Sequence, residues 1–344
     1  MNRPFRMAIV GAGRIAHDYA AAIETLDGVR LAAVVDVNPE AAAALAGPTG
    51  AGAFGSIAEM LAGSSSEGGG VDGALVSAPP ALHPALVAEL IEAGVPVLCE
   101  KPLCVSSAEA QRLCDLARDR DVVFTMATKF RFVGDVAEAR ELIRSGRIGE
   151  VLLLENAFTG RVDMTQRWNA DPAVSGGGVL IDNGTHSVDL VRHFLGPIQS
   201  VQAIEHKRMQ DVPVEDSVTV FCRTRSGVSC TVDLSWSLNK ELPTYLSVYG
   251  SEGALRLGWK GGQVKGRGDA DWTPFGSGYG KVEAFASQVR DFAGAARGEH
   301  HAEVSARDAL ASVRVIEAAY RSMRSNRWQP VGGEAPAVEA AAAA

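Results

Sequence analysis

The sequence predicts an α/β chain in two parts: a Rossmann-type doubly wound parallel sheet, then an α+β domain with a large, mostly antiparallel open sheet. Three observations carry this prediction. From residue 6 to about residue 155, short Val/Ile/Leu/Ala runs alternate with helix-length amphipathic stretches, as in a parallel sheet covered on both faces. A Gly-x-Gly-x-x-Ala hexapeptide joins the first run to the first helical stretch. Beyond Gly149 the pattern changes to longer alternating segments separated by turn signals, the mark of antiparallel strands.

Taken in order, the runs at 7–10, 31–35, 71–76, 95–98 and 122–124 are the predicted parallel strands, with helices over 82–93 and 107–118 among their connections. In the second part, strands are predicted over 151–157, 201–205, 218–223, 228–236 and 245–249. Arg225-Ser226-Gly227 and Ser251-Glu252-Gly253 supply turns between them. Helices over 178–194, 282–297 and 305–324 complete this half, the last placed to return to the first domain. The expected organisation is a dinucleotide-binding domain over 1–128, a substrate and oligomerisation domain over 129–330, and a disordered Gly/Pro/Ala/Glu tail over 331–344. A Ser/Gly-rich loop over 64–70 is expected to be mobile and without chemistry.

The 344 residues carry a net charge of -8 and no block of Lys/Arg, so a protein that tracks nucleic-acid phosphates is disfavoured and a small-molecule partner expected. No stretch approaches the ~18 uninterrupted apolar residues of a membrane span, and no export signal is read at the N-terminus. Five cysteines, odd in number and without C-x-x-C spacing, argue against a disulfide framework or a zinc ribbon and fit a reducing cytoplasm.

Gly11-Ala12-Gly13-Arg14-Ile15-Ala16 is the first chemical motif. Its first glycine permits the tight turn, its second lets backbone approach a pyrophosphate, and Arg14 and Ile15 open the helix whose N-terminus attracts the anion. Asp36 ends the next predicted strand, about 20 residues on, where a carboxylate accepts both ribose hydroxyls of an adenosine. Val37-Asn38-Pro39 supply no arginine to meet a 2'-phosphate, so NAD is favoured over NADP.

Cys99-Glu100-Lys101-Pro102 follows the predicted strand over 95–98, and Ser77-Ala78-Pro79-Pro80-Ala81-Leu82-His83 follows that over 71–76. Both belong at the carboxyl edge of the sheet, where open parallel sheets bind ligands; the alternative for Lys101 is a solvated loop lysine. The third motif runs from Gly176-Gly177-Gly178 through Asp182 and His186. On a helix these two project side by side at i and i+4, and a histidine beside a carboxylate exchanges a proton near neutral pH. A packing pair or half of a metal site are the alternatives, although no clustered further ligands support a metal.

Together the three motifs resemble the glucose-fructose oxidoreductase/inositol dehydrogenase (Gfo/Idh/MocA) family, from about Phe5 to about Pro330. Gly55-Ser56, the segment from Pro79 to His83, Arg131-Phe132, Gly149-Glu150-Val151, Trp168 and Tyr249-Gly250-Ser251-Glu252-Gly253 extend the likeness. The resemblance implies a Rossmann-type domain and a second domain whose open sheet mediates assembly into a homodimer or homotetramer. It also implies one active site in which Lys101, Asp182 and His186 are catalytic. Cofactor contacts are expected from Gly11, Gly13, Arg14, Ile15, Asp36, Ser77, Pro79, His83, Glu100 and Lys101.

Two departures stand out. Ala78 replaces the usual threonine before the proline, putting one cofactor hydrogen bond in doubt. Lys129 replaces a common asparagine; it either brings a second cation to an acidic or multiply hydroxylated substrate or points to solvent. Arg161, Trp168 and Asn169 are further candidate substrate residues, as are Trp236, Asn239 and Lys240, each with loop packing as its alternative. The expected activity is NAD-dependent hydride transfer at a secondary alcohol or ketone of a cyclic polyol or sugar. A nucleotide-sensing regulator and an NAD-dependent glycoside hydrolase are the alternatives.

Overall fold

In the computed structural model, residues 3–64 and 70–332 are described. Most of the Ser/Gly loop over 64–70 and of the tail over 331–344 lies outside them. The chain divides into two compact units. The first holds residues 1–137, 172–176 and 278–313, and the second holds 138–171, 177–277 and 314–344. Among the described residues no helix is long and apolar enough to cross a membrane.

The first unit is built on a six-stranded parallel sheet of β1 (Phe5–Val10), β2 (Val29–Val35), β3 (Gly52–Phe54), β4 (Gly73–Val76), β5 (Val97–Glu100) and β6 (Phe124–Ala127). The spatial order is β3-β2-β1-β4-β5-β6, so the direction of winding reverses between β1 and β4. The strands read as continuous apolar runs because both faces are covered. The helices are α1 (Arg14–Glu24), α2 (Pro39–Ala46), α3 (Ile57–Ser64), α4 (His83–Glu92), α5 (Ser107–Asp119), α6 (Gly134–Arg144) at the boundary of the two units, and the short α7 (Pro172–Ser175). Side-chain caps start α2, α3 and α5: Asn38 accepts from Glu40 and Ala41 N–H, with Pro39 at the first position, Ser56 accepts from Glu59 N–H, and Ser106 accepts from Ala108 N–H.

This unit reaches beyond the expected 1–128. It takes in α9 (Lys281–Ala296) because Phe285, Val289 and Phe292, all buried, pack with Tyr19, Met7 and Ile9 on one face of the sheet. On the other face Met60, Leu90, Ile91, Leu103 and Leu113 form the core, closed by Ala309, Leu310 and Val313 of α10 (Ala306–Ser325).

The second unit has a nine-stranded sheet: β7 (Val151–Thr159), β8 (Ile198–Glu205), β9 (Ser217–Thr224), β10 (Ser229–Ser235), β11 (Thr244–Gly250), β12 (Gly253–Gly258), β13 (Gly261–Gly266), β14 (Thr273–Phe275) and β15 (Gln329–Pro330). Its order is β14-β13-β12-β11-β7-β10-β9-β8-β15, and only the β7–β10 pair is parallel. Helix α8 (Val179–Leu195) covers one face, against which Leu154, Val220, Val232 and Leu234 are buried. The opposite face carries cross-strand neighbours Gln202, Phe221, Thr231, Glu155, Ser247 and Arg256 in one row.

Candidate active site

The dinucleotide motif sits where β1 turns into α1, beside the end of β4. Gly11 has φ +97°, and a Cβ there would lie 2.7 Å from the Ala78 backbone nitrogen, so the loops after β1 and β4 touch only because residue 11 lacks a side chain. The Ser77 hydroxyl donates to the Gly11 carbonyl at 2.8 Å and fastens them. A Cβ on Gly13 would meet nothing within 4 Å, so the helix N-terminus opens onto space where a pyrophosphate fits. Arg14 is exposed and Ile15 half-buried in the first turn of α1.

Asp36 directly follows β2. Its Oδ2 accepts from Ala12 N–H at 2.7 Å and its Oδ1 from Asn38 N–H at 2.8 Å. Each oxygen retains accepting capacity for a ribose hydroxyl. The cradle and the carboxylate thus fit an adenine dinucleotide.

His83 requires a correction. It was expected to touch cofactor, but it is only 1% exposed. Its Nδ1 lies 2.9 Å from the Pro102 carbonyl and its Nε2 lies 2.8 Å from the Ala78 carbonyl. The imidazole therefore ties the loop after β4 to the loop after β5, and desolvation pushes its pKa down. Pro79 leads into the tight turn at Pro80–Leu82, against which α7 packs.

Glu100 ends β5 and is held from both sides. The Tyr19 hydroxyl donates to Oε1 at 2.7 Å, and the Lys101 N–H donates to Oε2 at 3.0 Å. Burial raises the Glu100 pKa, opposed by Lys101, Tyr19 and Lys129. Glu100 is thus a half-buried anchor for the backbone of Lys101. The peptide from Lys101 to Pro102 is cis. Lys129 starts the turn at Lys129–Phe132 after β6 and is half-buried rather than solvated, with its ammonium over the rings of Phe130, Tyr279 and Phe285.

Lys101 belongs to the first unit, and Asp182 and His186 belong to the second. The latter two lie four residues apart on α8, Asp182 half-buried in the first turn and His186 buried, edge-on to Phe158 with ring centroids 6.5 Å apart. The helix start is fixed by Glu215, whose Oε1 accepts from Gly178 N–H at 2.9 Å, Leu180 N–H at 3.1 Å and the Tyr320 hydroxyl at 2.8 Å. Sequence reasoning missed Tyr19, Glu215 and Tyr320, each of which supports a predicted site residue from a distant part of the chain.

The remaining candidates are spread over the second unit. Arg161 is exposed, Trp168 is 48% exposed on the turn Trp168–Ala170, and Asn169 is half-buried. Trp236 offers no stacking face, being 3% exposed, and Lys240 is engaged with Asp233 on the open side of the sheet.

Two family descriptions match the chain. Residues 5–128 match the oxidoreductase family with an NAD-binding Rossmann fold, and residues 136–256 match the GFO/IDH/MocA C-terminal domain. The rhizopine catabolism protein MocA of Rhizobium meliloti is 31% identical over 334 residues, spanning 92% of this chain and 94% of its own length. Inositol 2-dehydrogenase of Rhizobium meliloti (strain 1021) is 26% identical over 342 residues, spanning 94% and 98%. Among solved structures, GenD2 from gentamicin A biosynthesis in complex with NAD superposes with a TM-score of 0.83 at 28% identity, over 96% of this chain and 97% of its own. The chain therefore belongs to the GFO/IDH/MocA family of oxidoreductases, with an NAD-binding Rossmann domain as its first part.

Proposed function

We propose that the protein is an NAD-dependent dehydrogenase acting on a secondary alcohol of a cyclic polyol or sugar, with Lys101, Asp182 and His186 as its catalytic residues. The observation that carries the reading lies within the first unit. Lys101 leaves the same carboxyl edge of the parallel sheet as the Gly11, Ser77 and Asp36 loops, and its backbone is anchored by half-buried Glu100. Relatives named for rhizopine catabolism and for inositol oxidation support the substrate class.

Bound NAD supplies the hydride acceptor. In the oxidation direction His186 takes the hydroxyl proton, Lys101 donates to the substrate oxygen as charge develops on it, and Asp182 orients the substrate through a second hydroxyl. The i, i+4 spacing on α8 puts Asp182 and His186 on one side of a helix whose N-terminus is capped by Glu215.

NAD reduction over a panel of inositols, aldoses, uronates and amino sugars tests the activity. His186→Asn and Lys101→Ala are expected to lose ~10²- to 10⁴-fold in turnover while binding NADH and melting near the parent temperature. Near-parent turnover in both variants would sink the catalytic assignment.

Self-association through the open face of the second sheet belongs to the same reading. Exposed Ile204, Phe221, Tyr249 and Trp328 support it, since large apolar side chains on one face favour coverage. Light scattering is expected to give a dimer or tetramer, and Phe221→Glu to weaken it; a monomer at all concentrations contradicts the proposal. A cytoplasmic location is part of the reading, supported by five free thiols.

A further inference from the structure

Lys129 and Lys101 leave the carboxyl ends of neighbouring strands. β5 and β6 are parallel, with Glu100 opposite Ala127, so the two lysines follow their strands on the same edge of the sheet. The Lys129 ammonium lies 5.5 Å from the ring centroids of Phe130 and Tyr279 and 5.6 Å from that of Phe285. Aromatic faces stabilise the charge, but an ammonium carries three N–H donors that seek oxygen acceptors.

The acids around it are committed elsewhere. Asp18 of α1 pairs with Lys281 of α9 at 2.5 Å. Glu100 accepts from the Tyr19 hydroxyl and the Lys101 backbone. Among the described residues no carboxylate lies within ion-pair distance of Lys129. Burial, then the neighbouring Lys101 charge, holds the Lys129 pKa down at about 8; Lys281 acts with them, and Glu100 and Asp18 act against them. A half-buried cation beside a second lysine, with rings over its ammonium and only Glu100 and Asp18, both engaged elsewhere, to offset it, leaves room for a further anion.

We infer that Lys129 is a specificity-determining residue of the substrate site, which with Lys101 selects a ring substrate bearing a carboxylate, a sugar acid rather than a neutral polyol. This rests on the dehydrogenase reading above and narrows its substrate class. Phe130 and Phe285 are buried, so the half-buried Tyr279 is the ring of the three left to face the C–H side of a sugar. A carboxylate fits better than a phosphate, because Lys101 and Lys129 together with an ionised Glu100 leave one net positive charge, which a monoanion balances and a dianion exceeds.

The probes are D-glucose, D-glucuronate and D-glucose 6-phosphate, which share a ring and differ at one carbon. Binding to the NADH-loaded protein is measured by calorimetry, and NAD-dependent turnover is measured in parallel. Glucuronate is expected to bind the parent ~10- to 100-fold more tightly than glucose, as for a charge-assisted contact, and Lys129→Met is expected to abolish the difference. Lys129→Arg is expected to restore it.

Because the anion must meet a protonated Lys129, the glucuronate-to-glucose ratio is expected to fall about tenfold per pH unit above about pH 8 in the parent and to stay level in Lys129→Arg. Taking the ratio cancels titrations common to both sugars, so the parent alone tests the inference even if a variant fails to fold. Equal binding of glucose and glucuronate, a preference for the phosphate, or a preference unchanged in Lys129→Met overturns it. Glucuronate binding without turnover of any sugar or polyol would instead overturn the dehydrogenase reading and leave the carboxylate site standing.

Discussion

Glu215 holds Gly178 at the start of α8 from two directions: its Oε1 accepts the Gly178 N–H at 2.9 Å, and its own carbonyl accepts the next N–H, that of Val179, at 2.9 Å. A Cβ on Gly178 would stand 2.0 Å from that carbonyl oxygen, and one on Gly177 would stand 1.9 Å from the Tyr320 hydroxyl. The glycines before the Asp182/His186 helix are thus packing requirements. Gly178→Ala pushes against backbone that cannot step aside, with an expected cost of about 3 kcal/mol. The melting temperature should drop clearly, whereas a fall of under about a degree would show that the helix start is loosely packed.

The same carboxyl gives a pH signature. Burial raises the Glu215 pKa, partly offset by Tyr320 and the backbone N–H groups. As pH rises from the ordinary carboxyl value of 4.5, the unfolded chain releases this proton first, and the native state, holding it longer, loses stability until its own pKa is passed. Glu215→Gln removes that component. The urea midpoint of the parent relative to Glu215→Gln should therefore decline as pH rises above the ordinary carboxyl value of 4.5. A difference that grows over this range would reverse the assignment.

His83 has the opposite sign. A neutral imidazole carries one ring N–H, so only one of its close contacts, to Pro102 O or to Ala78 O, is a donated hydrogen bond at a time. Desolvation lowers its pKa below the ordinary 6.5, so stability is complete above that value and lost as pH falls through it. Relative to His83→Gln, the parent should lose melting temperature on acidification below about pH 6.5. Because the ring ties the Lys101 loop to the Ala78 loop, His83→Ala should lower kcat by about 10- to 100-fold through misplacement, with a smaller change in NADH affinity. Unchanged kcat would show that Glu100 alone suffices to place Lys101.

Much of this architecture is legible wherever periodicity is uninterrupted. The alternation in β7, β9 and β10 and the helical spacing of α8 mark those elements to within a few residues. β12 and β13 are not legible because Gly253, Gly258, Gly261, Gly262 and Gly266 leave few side chains to alternate. Cβ atoms on Gly253 and Gly258 would strike carbonyl oxygens at 2.4 and 2.6 Å, so close packing there selects against the side chains that signal a strand. β6 begins at Phe124 rather than 122 because Asp121, with φ 54°, and Val122, bonded to the Ala117 carbonyl, are used in closing α5.

Motif-bearing residues of the site could be read from local spacing, since Gly11, Asp36, Lys101 and the Asp182/His186 pair each lie at a recognisable element end or helix interval. Their supports could not. Tyr19 and Glu100 are 81 residues apart, and Glu215 and Tyr320 are 105 apart. Trp236 looked available because nothing local distinguishes an exposed indole from one buried just past the end of a strand.

Asp36 sets the last expectation. Its carboxylate is aimed by Ala12 N–H and Asn38 N–H, and the exposed Val37 beside it offers no cation. A 2'-phosphate some ~5 Å away, at an effective dielectric of about 20, meets repulsion of about 3 kcal/mol per unit charge, enough for more than a hundredfold discrimination. The parent should accordingly favour NAD over NADP by ~10²-fold or more in kcat/KM. Asp36→Ala removes the charge together with the acceptor that positions Ala12, so NAD efficiency should fall while the ratio narrows to within about tenfold. Asp36→Asn keeps one oxygen acceptor and removes the charge. It should narrow the ratio with a smaller loss on NAD, separating electrostatic exclusion from loop anchoring. A parent that prefers NADP, or an Asp36→Ala ratio equal to the parent's, would assign the choice of cofactor to other residues.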